Sequence, residues 1–264
     1  MAQTFDSKHL VLFGADKGWH SGDWTASDDR VRGGKSQSYL EINEKTARFH
    51  GTLDIKTLGG AGFASQRTTG NDREWDLSEY AGIQINTSKG DKKRYTLNLK
   101  DTLLPPDPDT GREQSTVTYE CDFELPSQAE PGHAYDRSIF IPFSSFNATY
   151  RGRLKDDAKP INLKKVKQIS VMMRSFFGTQ EGEFSLTLRS ICALSKVPSV
   201  DAETTIIDHS VLEKGDADVE SNVADEVLPS MPPSRKVAYF LLGVVSLFAV
   251  FPLLFPMSCG MHSG

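Results

Sequence analysis

The sequence predicts an all-β fold, an antiparallel β-sandwich, followed by one C-terminal transmembrane helix. Three observations carry this. Phe, Tyr and Val recur in short runs that alternate with polar residues, no long amphipathic helix separates those runs, and Val237 to Met257 contains no charged residue. Alternation with period two marks strands that bury one face, and many short strands without helical crossovers favour antiparallel pairing.

Strands are expected at Leu10 to Phe13, Tyr39 to Ile42, Ala47 to Leu53, Gly62 to Thr68, Tyr80 to Asn86, Arg94 to Lys100, Ser115 to Leu125, Ser138 to Phe143, Val166 to Arg174 and Glu183 to Ile191. In the sixth, Tyr95, Leu97 and Leu99 share one face, and in the last, Phe184, Leu186, Leu188 and Ser190 do so. Turn formers fill the gaps, as at Leu58-Gly59-Gly60, Ser88 to Asp91, Pro105 to Gly111, Gly178 and Gly182.

The composition, 38% hydrophobic and 25% charged, is that of an ordinary globular protein. The net charge of -5 is unevenly placed. Residues 197–234 hold the acids Asp201, Glu203, Asp208, Glu213, Asp216, Asp218, Glu220, Asp225 and Glu226 against the single base Lys214, and no aromatic residue. Such a segment cannot bury enough apolar surface to offset the entropy of ordering it, so a disordered acidic tether is expected. The preceding part, 1–196, is then the folded domain and close to neutral. It offers no electrostatic reason to expect nucleic acid as a partner. Cys121, Cys192 and Cys259 are widely spaced and odd in number, which argues against both a disulfide framework and a metal site.

Val237 to Met257 extends ~31 Å as a helix, enough for a hydrocarbon core of about 30 Å. The expected organisation is therefore domain 1–196, tether 197–234, transmembrane helix 235–257 and short tail 258–264. Arg235 and Lys236 are the charges beside the span, and the tail has none. The positive-inside rule then leaves the domain in the cytosol, as in a tail-anchored protein. Met1 to Phe13 has neither the pattern of a secretory signal nor the Arg-rich, acid-poor character of a mitochondrial presequence.

Several residues invite a chemical reading. Asp28, Asp29, Arg30, Gly33, Gly34 and Ser36 form a candidate binding loop, since a Gly pair lets backbone approach a partner closely. The competing reading is a turn in which Asp28 bonds nearby backbone while Gly33 and Gly34 adopt positive φ. Asp101, Asp107, Asp109 and Glu113 supply oxygen ligands in a Pro-rich loop, but without the spacing of a calcium loop, so a solvated hairpin loop is expected. Arg67, Arg94, Arg151, Arg153 and Arg174 either line a binding face or form surface ion pairs. Trp19, Trp24, Trp75, Phe140, Phe143, Phe146, Phe176 and Phe177 are expected mostly in the core. His9, His20, His50, His133, His209 and His262 fall in no nucleophile–base motif, and no dinucleotide or phosphate-cradling fingerprint occurs. The residues thus point to no catalytic group, no metal and no cofactor.

One ordered series of motifs adds a family. Asp28-Asp29-Arg30-Val31-Arg32-Gly33-Gly34-Lys35-Ser36 leads into Ser38-Tyr39-Leu40-Glu41, then Phe49-His50-Gly51-Thr52-Leu53 and Gly59 to Arg67 follow. Further on stand Trp75 to Ile83, Arg94-Tyr95, Ile141 to Phe146, Arg151-Gly152-Arg153 and Gly182 to Leu186. From about Phe13 to Ala193 the chain resembles the thirty-kilodalton complex I intermediate-associated protein family. The resemblance implies a galactose-binding-like jelly roll and a non-enzymatic, chaperone-like role with protein partners in assembling NADH:ubiquinone oxidoreductase in mitochondria. The anchor and the missing presequence depart from that pattern and bring in the endoplasmic reticulum as an alternative membrane. A membrane-tethered jelly roll that binds a small ligand or carbohydrate is the other function expected of this fold.

Overall fold

The computed structural model describes residues 8–109, 111, 113–125, 136–199 and 204–207. They form fourteen strands: β1 (His9–Gly14), β2 (Trp24–Ala26), β3 (Gln37–Ile42), β4 (Ala47–Leu53), β5 (Phe63–Thr68), β6 (Gly82–Gly90), β7 (Arg94–Lys100), β8 (Thr118–Glu124), β9 (Arg137–Pro142), β10 (Asn147–Tyr150), β11 (Arg153–Leu154), β12 (Gln168–Arg174), β13 (Gly182–Leu194) and β14 (Thr204–Ile206). Short 3-10 turns join some of them, and no α-helix occurs among the described residues.

Two seven-stranded sheets result. One runs β14-β9-β6-β13-β4-β3, with β1 also on β13; the other runs β11-β10-β8-β7-β12-β5-β2. All the pairings are antiparallel except that of β14 with β9. β13 serves two partners along one side: residues 182–188 face β4, and 190–194 face β1.

The core lies between the sheets and follows from the alternation. Leu97, Leu99 and Tyr95 from β7, Ile169, Val171 and Met173 from β12, and Cys121 and Phe123 from β8 meet Phe49, Ile83, Ile85, Leu186 and Leu188 of the first sheet. Phe49 and Phe184 pack with ring centroids 5.0 Å apart, and Tyr95 stacks on Phe123 at 6.0 Å. Burial pushes the Cys121 thiol up to about 12 and raises that of Cys192.

Every expected strand is present, with ends shifted by a few residues. The turn expected at Ser88 to Asp91 is displaced, because β6 continues through Gly90 against β13 across register shifts near Leu188. β2, β10, β11 and β14 were not expected. The first three are too short to show alternation.

β14 changes the expected domain limit. Thr204–Ile206 pairs parallel with Ser138–Phe140, the Ile207 N–H donates to Phe140 O at 3.0 Å, and Ser145 Oγ donates to Ile207 O at 3.0 Å. Over 204–207 the segment expected as tether is therefore part of the sheet, held by backbone groups that acidic composition does not report. The rest of the tether beyond 207, the span 235–257 and the tail 258–264 lie outside the described residues. No helix among the described residues is long and apolar enough to cross a membrane.

Candidate binding face

The expected binding loop folds as a clasp. A 3-10 turn at Asp29–Arg32 follows β2. Asp29 is fully buried, and its carboxylate accepts from Ser36 N at 3.0 Å, Ser36 Oγ at 2.7 Å and Phe63 N at 3.1 Å. Asp28 is buried too, and accepts from Ser38 N at 3.1 Å, Ser38 Oγ at 2.6 Å and Ser65 N at 3.0 Å. Two adjacent carboxylates thus tie the turn to the β3 side and the β5 side at once. Neither caps its own turn, contrary to the turn reading.

Gly33 does take the left-handed conformation, φ +82. Gly34 does not; it is glycine because a Cβ there would overlap the Asp29 carboxylate. Arg30 is exposed, with Nε 3.8 Å from Asp28 Oδ2.

The charged residues that sequence reasoning scattered converge on the second sheet. Cross-strand partners share a face, so register defines what lies on the side turned away from the core. One row reads Arg67, Ser170, Asn98, Glu120, Asn147. The next reads Ser65, Met172, Thr96, Asp122. Gln168 and Lys100 pair at one end, and at the other Phe63 pairs with Arg174 and Arg94 with Glu124.

Although this face points away from the core, Ser65, Thr96, Asn98, Glu120, Gln168 and Ser170 are buried. The face is therefore polar, with its central side chains covered by their neighbours. Its charges are paired. Arg174 donates to Glu120 Oε2 at 2.9 Å and to Asp122 Oδ1 at 2.7 Å, Arg94 Nε to Glu124 Oε1 at 2.9 Å, and Arg67 pairs with Glu113. Burial pushes the Glu120 carboxyl up in spite of the Arg174 guanidinium, and burial lowers Lys100. Among the described residues, Asn98 Oδ1, Arg67 Nε and Arg174 Nε on this face have no hydrogen-bond partner.

The turn after β12 forms one rim. Phe176 and Phe177 both have left-handed backbone, φ 44 and 57, which is costly for bulky residues and is held only where the surroundings impose it. Gln180 supplies that constraint: its amide accepts from Arg94 N at 3.1 Å and donates to Arg94 O at 2.8 Å and Arg174 O at 2.6 Å. The Phe176 ring lies 4.8 Å from the Arg94 guanidinium and 4.5 Å from that of Arg174. Phe177, expected in the core, is 93% exposed.

Trp19, Trp24 and Phe140 are buried as expected, and Trp75, Phe143 and Phe146 pack against the core. Arg151 lies over Tyr150 at 5.4 Å; Arg153 is in β11. The acids of the Pro-rich loop do separate work: Asp101 accepts from Asn162 N at 2.8 Å, Asp107 from Asp109 N at 3.1 Å, and Glu113 pairs with Arg67. No metal-holding cluster occurs among the described residues. Sequence reasoning missed Thr96, Asn98, Glu120 and Asp122. The available signal was the polar half of the same alternation that gave the core.

Two facing sheets, antiparallel except where β14 joins β9, define an all-β sandwich. The family 11 carbohydrate-binding module of a Clostridium thermocellum cellulosomal cellulase has a similar fold, with a TM-score of 0.50, 14% sequence identity, and coverage of 74% of this chain and 99% of that module. The family model Complex I intermediate-associated protein 30 (CIA30) matches residues 11–188, and the chain belongs to that family. An uncharacterized protein of Schizosaccharomyces pombe is 45% identical over 192 residues, covering 71% of this chain and 84% of its own length.

Proposed function

We propose that this chain is a non-catalytic binding module that holds incompletely built protein complexes at a membrane. The family match over residues 11–188 carries this reading, and the family's name points to complex I. The uncharged stretch Val237 to Met257, flanked by Arg235 and Lys236, supports a membrane anchor with the domain on the cytosolic side. The family supports a mitochondrial membrane, with the endoplasmic reticulum as the alternative.

A tether between domain and anchor keeps the domain near membrane complexes. This raises the effective concentration and compensates for weak individual contacts. The test is purification of the tagged full chain from membranes, with identification of what accompanies it. Subunits of a partly built complex are the expected companions, and recovery of background proteins alone contradicts the reading. Protease added to intact organelles should remove the domain, and protection reverses the orientation.

A second reading, a small-ligand or carbohydrate module, is favoured by one observation: the buried, unpartnered Asn98 Oδ1 on the polar outer face of the second sheet.

A further inference from the structure

The polar outer face of the second sheet holds hydrogen-bonding groups that the fold leaves unused. A buried donor or acceptor without a partner costs about 1–3 kcal/mol, and native proteins leave few of them. Here Asn98 Oδ1, Arg67 Nε and Arg174 Nε fall on one face of one sheet. Asn98, 6% exposed, uses its amide N–H on Ser170 Oγ at 3.2 Å and has its oxygen left over. We infer that this face is a binding site for a neutral polyhydroxylated ligand, an oligosaccharide chain.

Charge fixes the ligand's neutrality. The cations Arg67, Arg94, Lys100 and Arg174 are balanced by Glu113, Glu120, Asp122 and Glu124, most of them already in ion pairs. A charged ligand would meet no uncompensated field and would lose its hydration on entering.

Hydroxyl chemistry follows from the mixture of unused groups. An acceptor needs a donor, two guanidinium N–H groups need acceptors, and a hydroxyl serves as either. An extended polypeptide fits less well, because its alternate side chains need pockets, and Met172 and Phe63 are the apolar members of these rows. The footprint suits a chain of rings: Lys100 to Arg94 along β7 is ~20 Å, and Arg67 to Asn98, two strands apart, is ~10 Å.

The rim supplies a second, independent feature. Phe177, three residues past Arg174, is held in a left-handed turn and is 93% exposed. Its ring face suits the C–H face of a sugar. Lys100 and Met172, the neighbours of Asn98 on this face, are long side chains that can turn aside without moving backbone.

This inference rests on the small-ligand reading above and can fail separately from it. The full chain, in a sugar-free zwitterionic detergent, is titrated calorimetrically with cellotetraose, galactotetraose and mannotetraose. Parallel arms use an acidic tetragalacturonate, an unfolded carboxymethylated polypeptide, and ribonuclease B against its unglycosylated form. At least one neutral tetrasaccharide or the glycoprotein is expected to bind, and these two arms separate free sugar from protein-borne glycan as the source. Asn98→Leu should weaken that binding at least tenfold and Phe177→Ala about fivefold. Phe177 is exposed, so its variant keeps the test valid if Asn98→Leu does not fold. Binding of the acid or the polypeptide alone, lost in the variants, overturns the neutral class but keeps a ligand site on this face. Unchanged binding in both variants overturns the location, and no binding by any probe overturns this inference and the small-ligand reading together.

Discussion

Asp29 and Ser36 hold each other through two hydrogen bonds: the Ser36 N–H and hydroxyl both donate to the Asp29 carboxylate, at 3.0 and 2.7 Å. The same hydroxyl group accepts from Asp54 N at 3.0 Å. Asp28 repeats the arrangement with Ser38. The Asp28-Asp29 pair is thus the point where the chain between β2 and β3 is locked onto the sandwich.

Asp29→Ala should destabilise the domain by about 3 kcal/mol or more, because it strands buried donors at Ser36 and Phe63. Asp28→Ala should cost a similar amount. Gly34→Ala, by forcing a methyl group into the Asp29 carboxylate, should cost about 1–3 kcal/mol. Urea unfolding of each variant measures these losses. A wild-type midpoint for Asp29→Ala contradicts the clasp.

Glu120 should give the stability curve a pH dependence of its own. Its carboxyl is raised, first by burial, with Arg174 opposing. A carboxyl raised in the folded state favours folding below the ordinary value of 4.5 and loses that contribution as pH rises through the raised value. Glu120→Gln should therefore gain stability relative to wild type as pH climbs from about 4.5. A constant difference between the two unfolding free energies from pH 4 to pH 8 refutes this.

Cys121 and Cys192 should resist alkylation in the native protein. Both are buried, and the Cys121 thiol is pushed up to about 12, so almost no thiolate exists near neutral pH. Mass spectrometry after iodoacetamide treatment at pH 8 should find both unmodified until denaturant is added.

Truncation tests the added strand. A chain ending at 207 keeps β14 on β9, whereas one ending at 196 exposes the β9 edge and removes the partly buried Ile207. The longer form should melt higher, by about 2–4 °C for each kcal/mol contributed. Equal melting temperatures would place β14 outside the cooperative unit.

The sequence by itself determined most of the strands and which of their faces turns inward. Alternation of Tyr95, Leu97 and Leu99 with Thr96, Asn98 and Lys100 defines which side chains face inward, whatever the neighbouring strands are. The family was legible in motifs such as Asp28 to Ser36, where Gly33 and Gly34 meet a local demand of the chain while Asp28 and Asp29 reach Ser65 and Phe63 on β5. What only the tertiary structure decided is where the polar halves of the strands meet. Arg67, Asn98, Glu120 and Arg174 are far apart in sequence and become neighbours through the pairing order β5-β12-β7-β8, which alternation does not encode. The same holds for Thr204–Ile206, where a sheet edge with unpaired backbone groups outweighs the polar composition around it. Phe177 lies at the opposite extreme: its hydrophobicity predicts burial, and the Gln180 amide joining β7 to β12 leaves its turn projecting instead.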